Sequence, residues 1–160
     1  MALAGIFFSV FYIVFTPLTI YPVYWLLSIF YPVTLSGAVL AIQGKEIEII
    51  SACVAGAAYF FLFALNLSTG NIRLKPRISV LLIDFSVFLV LNILRIFFLS
   101  VMLIKETVFF ETVHLLLWYV FSILLVFLIW IVTVKSFRIK NIPFYSDIAY
   151  LKKLSCKERK

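Results

Sequence analysis

The sequence predicts an all-α, polytopic transmembrane helical bundle, and three observations carry that prediction. Of the 160 residues, 65% are hydrophobic and only 13% are charged, more apolar surface than a water-soluble domain of this size can hide. Met1 to Gly44 contains no charged residue, and later apolar runs reach the roughly 20 residues a helix needs to cross about 30 Å of hydrocarbon. Finally, 11 of the 14 basic residues fall in three clusters: Arg73, Lys75 and Arg77; Lys135, Arg138 and Lys140; and Lys152, Lys153, Lys157, Arg159 and Lys160. All three lie at span boundaries or in the tail, which is the positive-inside pattern. The net charge of +7 therefore reads as an orientation signal and as contact with anionic membrane lipids, not as a nucleic-acid surface.

The elements follow in order. A first span is expected from Ala2 to Ile20, with Pro17 in its last turn, where a lost backbone hydrogen bond costs least. Met1-Ala-Leu-Ala-Gly5 lacks the basic start of a cleavable signal peptide, so this span is expected to stay. Tyr21 to Gln43 is apolar enough to span, yet it carries Pro22, Pro32 and the aromatic cluster Tyr21, Tyr24, Trp25, Phe30 and Tyr31. Such rings favour the water–lipid boundary, so one or two interfacial helices are expected here. If the segment spans instead, there are five spans rather than four and the N-terminus moves outside; nothing after Lys45 changes.

Gly44 to Ile50 alternates polar and apolar residues, which predicts a brief extended segment outside the hydrocarbon. The second span runs from Ser51 to Leu67 and stops at Ser68-Thr-Gly-Asn71. A third is expected from Ile78 to Ile104, turning at Lys105-Glu106, and a fourth from Val108 to Val134. Residues 1–140 thus make one transmembrane domain, the part expected to carry any site, and 141–160 a basic cytoplasmic tail. With the 73–77 loop on the cytoplasmic side of a plasma membrane, the second span begins outside, the third ends outside and the fourth begins there.

Ionisable side chains in a span cost about 2.5–3.5 kcal/mol on insertion scales, so each is a functional candidate. The second to fourth spans hold Cys53, Asp84, Arg95, Glu111 and His114, with Asn92 as a strong uncharged hydrogen-bonder. The topology puts Cys53 at the outer end of its span, His114 in the first two turns of the last, and Arg95 about 14 Å below the outer end of the third, within reach of a snorkelling side chain. Asn92 and Arg95 share a helix face. Taken singly, a membrane cysteine is a small apolar packing residue and a membrane arginine a helix-pairing one. Together in one leaflet they make a chemical set. The imidazole takes the thiol proton, and the cation holds the thiolate or the oxyanion formed when it attacks a peptide carbonyl. Glu111, one turn before His114, is placed to orient the imidazole or to face the headgroups.

Ile49-Ile-Ser-Ala-Cys53-Val-Ala-Gly56, Leu91-Asn-Ile-Leu-Arg95-Ile96 and Phe109-Phe-Glu-Thr-Val-His114 resemble, in order and spacing, the Cys, Asn-x-x-Arg and His motifs of the exosortase/archaeosortase family, over residues 34–135. The resemblance implies a multi-span cysteine peptidase or transpeptidase. Its partners would be exported proteins carrying a C-terminal sorting signal: a short motif, a transmembrane helix and a basic tail. It would cut at the motif and pass the acyl group to a lipid or other acceptor, without a cofactor or metal. Cys53 would be the nucleophile, Arg95 the stabilising cation and His114 the proton-transfer residue. The chain departs from the family in having Val54, Ala55 and Gly56 where Ser or Thr and then Gly usually follow the Cys, and it lacks the glycine often found shortly after the His.

The rival reading is a non-enzymatic polytopic membrane protein, a small transporter subunit or assembly factor. Asp84 and Arg95 lie three turns apart on one face, too far to pair with each other. Thiol–disulfide exchange is disfavoured because Cys156 is expected in the cytoplasmic tail and no C-x-x-C occurs. Zinc is disfavoured because one His and one outer Cys leave too few soft ligands.

Overall fold

In lipid a chain must satisfy its backbone polar groups internally, and helices do so within one segment. The computed structural model describes residues 2–69 and 74–137, and among these four helical stretches are long and apolar enough to cross a membrane: Ser9–Ser28, Ser51–Ser68, Leu74–Ile104 and Phe110–Ser136. The elements are α1 (Ala2–Ser28), β1 (Val33–Ser36), β2 (Val39–Ile42), β3 (Lys45–Glu48), α2 (Ser51–Val54), α3 (Gly56–Ser68), α4 (Leu74–Ile104), α5 (Phe110–Leu116), a π-helical turn (Leu117–Phe121) and α6 (Ser122–Ser136). Arg73, Arg138, Lys140 and the tail with Cys156 lie outside the described residues.

The largest correction falls on residues 21–43. They form no interfacial helices. Instead α1 continues to Ser28 with Pro17 and Pro22 inside it, and a three-stranded antiparallel sheet follows in the order β1-β2-β3. The fold is therefore a helical bundle with a small sheet, not all-α. Proline reads as a helix stop because of its missing N–H, a penalty that helix packing in a membrane bundle offsets. Two-residue turns explain the sheet. Gly37 has φ 64 between the paired Ser36 and Val39, and Gln43 and Gly44 have φ 51 and 78 between Ile42 and Lys45. Positive φ at the first position alone, and then at both, are the arrangements of type II′ and I′ hairpin turns, whose twist matches that of the strands. The expected extended segment after Gly44 is β3.

The sheet is anchored to the bundle. Leu40, Ile42 and Ile49 are buried. At the start of β3, Lys45 Nζ donates to the carbonyls of Leu103 (3.0 Å) and Ile104 (3.2 Å) and pairs with Glu106 at 2.9 Å. A cation at a helix C-terminus meets the negative end of the helix dipole and the carbonyls that have no intrahelical donor. One side chain thereby fixes the strand to the end of α4.

Helix α4 is the central element. Its buried residues are Val80, Asp84, Phe88, Asn92, Ile96, Ser100 and Ile104, every fourth position. Four residues overshoot one helical turn by about 40°, so this covered line winds round the helix. It accordingly packs against α1, α3, α5 and α6. An aromatic cluster joins α1, α3 and α4. Phe15 of α1 stacks on Tyr59 of α3 with centroids 3.6 Å apart, and Phe85 and Phe88 of α4 meet Tyr59 edge-on at 5.6 and 4.9 Å.

Candidate active site

The site begins with a break in the second span. Ala55 adopts the left-handed conformation (φ 59, ψ 41) between α2 and α3, which costs a residue with a Cβ about 1–2 kcal/mol. Ending α2 there leaves the carbonyls of Cys53 and Val54 without the usual donors. Asn92 of α4 supplies them: its Nδ2 donates to Cys53 O at 2.9 Å and more weakly to Val54 O at 3.5 Å. The next residue has to be small, because a Cβ on Gly56 would stand 2.8–3.0 Å from ring carbons of Tyr12. Asn92 is thus a positioning residue for the backbone that carries the thiol.

One turn beyond Asn92, Arg95 reaches across to the fourth span. Its Nη1 donates to Ser122 Oγ at 2.7 Å, and Ser122 Oγ donates to Leu117 O at 2.9 Å. That carbonyl belongs to the π-helical turn, which adds a residue to one turn of the helix. The guanidinium is half-buried, close enough to Cys53 to act on it electrostatically, and its Nε is buried without a hydrogen-bond partner. The cation is therefore held at one nitrogen with hydrogen-bonding capacity left over.

His114 comes from α5. Its ring is bracketed along the helix by Phe110 (centroids 5.6 Å, nearly parallel) and Trp118 (5.5 Å, tilted). Cys53, Arg95 and His114 all line one cavity of about 240 Å³, together with Glu46, Glu48, Ser100 and Trp118. A second, larger cavity of about 600 Å³ adjoins it, walled by Tyr12, Ala55, Ala58, Phe61, Val126 and Phe127. Arg95, Trp118 and Ala52 border both.

Not every candidate joins the cavity. Glu111 is exposed and outside its wall, and the rings beside His114 are those of Phe110 and Trp118. Asp84 is fully buried near Thr133 of α6, eleven residues and about 16 Å along α4 from Arg95. Contributors not singled out from the sequence as site residues include Ser100, Ser122, Trp118, Glu46 and Glu48. The two glutamates had a signal in the alternation of Glu46-Ile47-Glu48-Ile49; Ser122 had none. Among the described residues no group of three or more His, Cys, Asp or Glu is arranged to hold a metal ion. No protein-family model, no curated protein and no solved structure matches this chain.

Proposed function

We propose that this protein is a membrane-embedded cysteine peptidase or transpeptidase of the exosortase/archaeosortase type, cleaving C-terminal sorting signals of exported proteins through a thioacyl intermediate. The observation that carries the reading is the shared cavity: a thiol, a guanidinium and an imidazole from three separate helical segments border one space. His114 accepts the Cys53 proton, and the thiolate attacks the scissile carbonyl carbon. The developing oxyanion lies toward Arg95, where a fixed cation in a water-poor site stabilises it. As the C–N bond breaks, His114 returns the proton to the leaving amine, leaving a thioester on Cys53. Attack by a lipid or other acceptor, or by water, releases the acyl group and restores the thiol.

The charge pattern orients the site. Lys75, Arg77 and Lys135 stand at the end of the bundle away from the sheet, so the positive-inside rule directs the cavity outward and the C-terminus to the cytoplasm of a plasma membrane. The chemistry is tested at the thiol. A membrane-impermeant maleimide is expected to alkylate Cys53 in intact cells, and Cys53→Ala to leave a tagged sorting-signal protein uncleaved. Normal cleavage by Cys53→Ala would return the chain to the non-enzymatic reading.

A further inference from the structure

β3 is an edge strand, and its free edge borders the cavity. Glu46, Ile47, Glu48 and Ile49 all line that space, although successive side chains of a strand point to opposite faces. A cavity touched by both sets lies along the strand's edge. The pairing pattern says which backbone groups face it. Ile49 N–H donates to Ala38 O at 2.9 Å, so in this antiparallel register Ile47 with Leu40 and Lys45 with Ile42 are the hydrogen-bonded pairs. The N–H and C=O groups of Glu46 and Glu48 therefore point away from β2, and among the described residues no backbone hydrogen bond engages them.

We infer that this edge is the docking site for an extended peptide, which adds as a fourth strand beside the cavity. The inference rests on the peptidase reading, since it concerns how that substrate is held. Alternating donors and acceptors at strand spacing match the backbone of another extended chain. The edge is held in place beforehand: Lys45 ties its start to the end of α4, and its other end runs through Ile49 and Ile50 into the turn bearing Cys53, whose N–H donates to Ile50 O at 2.9 Å. Charge narrows the occupant further. Glu46 and Glu48 are two residues apart, exposed, and on one face of the strand, so they select a peptide with basic side chains at alternate positions.

Amide hydrogen exchange on the full chain in lipid nanodiscs tests this. The probes are six-residue acetylated, amidated peptides alternating Val with Lys, Thr or Glu. The Lys peptide is expected to slow exchange at the Glu46 and Glu48 amides by about ten-fold or more, leaving Ile47 and Ile49, already paired to β2, unchanged. The same peptide N-methylated at its Lys residues, whose N–H groups would face Glu46 and Glu48, is expected to give no protection, and the Glu peptide none. Absence of the alternating pattern with all three peptides overturns the docking edge, and equal protection by all three overturns the charge selection. Strand addition does not need the thiol, so the pattern is expected in Cys53→Ala as well. Protection combined with normal cleavage by Cys53→Ala would sink the peptidase reading alone. Missing protection combined with a dead Cys53→Ala would sink the docking edge alone.

Discussion

The two halves of the bundle treat irregular backbone in opposite ways. The half toward the sheet contains the left-handed Ala55, the π-helical turn at Leu117–Phe121 and an unpaired strand edge. Among the described residues, the half toward Thr69 and Lys135 is helix up to Ser68 and from Leu74, packed around Leu62, Val80 and Val134, all buried. Irregular backbone at membrane depth persists only where protein or a cavity, not lipid, meets its free polar groups. Two of the three irregularities have an assigned polar partner: Asn92 for the break at Ala55, and the Arg95–Ser122 pair for the π-helical turn. The third, the edge of β3, faces the cavity. Asp84, one of several buried polar residues of the regular half, makes no hydrogen bond to irregular backbone among the described residues.

A reciprocal exchange on α4 breaks this comparison most directly. Asn92→Asp keeps the shape but turns a donor into an acceptor facing two carbonyls, and is expected to destabilise the protein by about 2 kcal/mol or more and to abolish cleavage. Asp84→Asn, an equally small change two turns away, is expected to shift stability by less than about 1 kcal/mol and to spare cleavage. Thermal unfolding in detergent, with cleavage assayed in parallel, checks both. Equal losses from the two variants would mean the halves do not differ in kind.

Next in size is Gly56→Ala. The added methyl meets the Tyr12 ring at 2.8–3.0 Å, so the ring or the break must move, with an expected loss of about 1–3 kcal/mol. Tyr12→Ala in the same chain is expected to recover much of the Gly56→Ala loss in a double-mutant cycle of melting temperatures. An additive pair would show that Tyr12 does not seat the break.

What was legible in the sequence follows the same division. α4 was readable almost to its ends, since a long apolar run bounded by charge has one reading in a membrane. The grouping of Cys53, Arg95 and His114 was readable too, because antiparallel spans of known order must bring those depths to one end. The break at Ala55 was not: the Gly56 that follows it reads as one more small residue inside an apolar span, and the support for the break comes from Asn92, a contact between residues 39 apart in sequence. The position of Glu111 was not legible because a three-residue spacing fixes its angle to His114 but not the rotation of α5 against its neighbours. Residues 21–43 misled through their apolarity. Gly37 and Gly44 marked hairpin turns, but the strand between them, β2, reads equally well as helix.

The smallest expected effect concerns how the two halves of the site end are tied together. Glu106 is outside the spans, and the hydrogen bond from Lys45, then its charge, hold the carboxyl below the usual glutamate range. A depressed pKa in the folded state means the stabilisation is complete above the ordinary glutamate pKa of about 4.3 and fades as pH falls through the lower folded value. Glu106→Gln is therefore expected to melt slightly below the parent chain at neutral pH and to converge with it under acid, with the gap narrowing in high salt because the pair is exposed. Lys45 also donates to the Leu103 and Ile104 carbonyls. If Glu106→Gln and the parent melt together at every pH, the two carbonyl bonds alone hold β3 to α4, and the sheet's attachment is a helix cap rather than an ion pair.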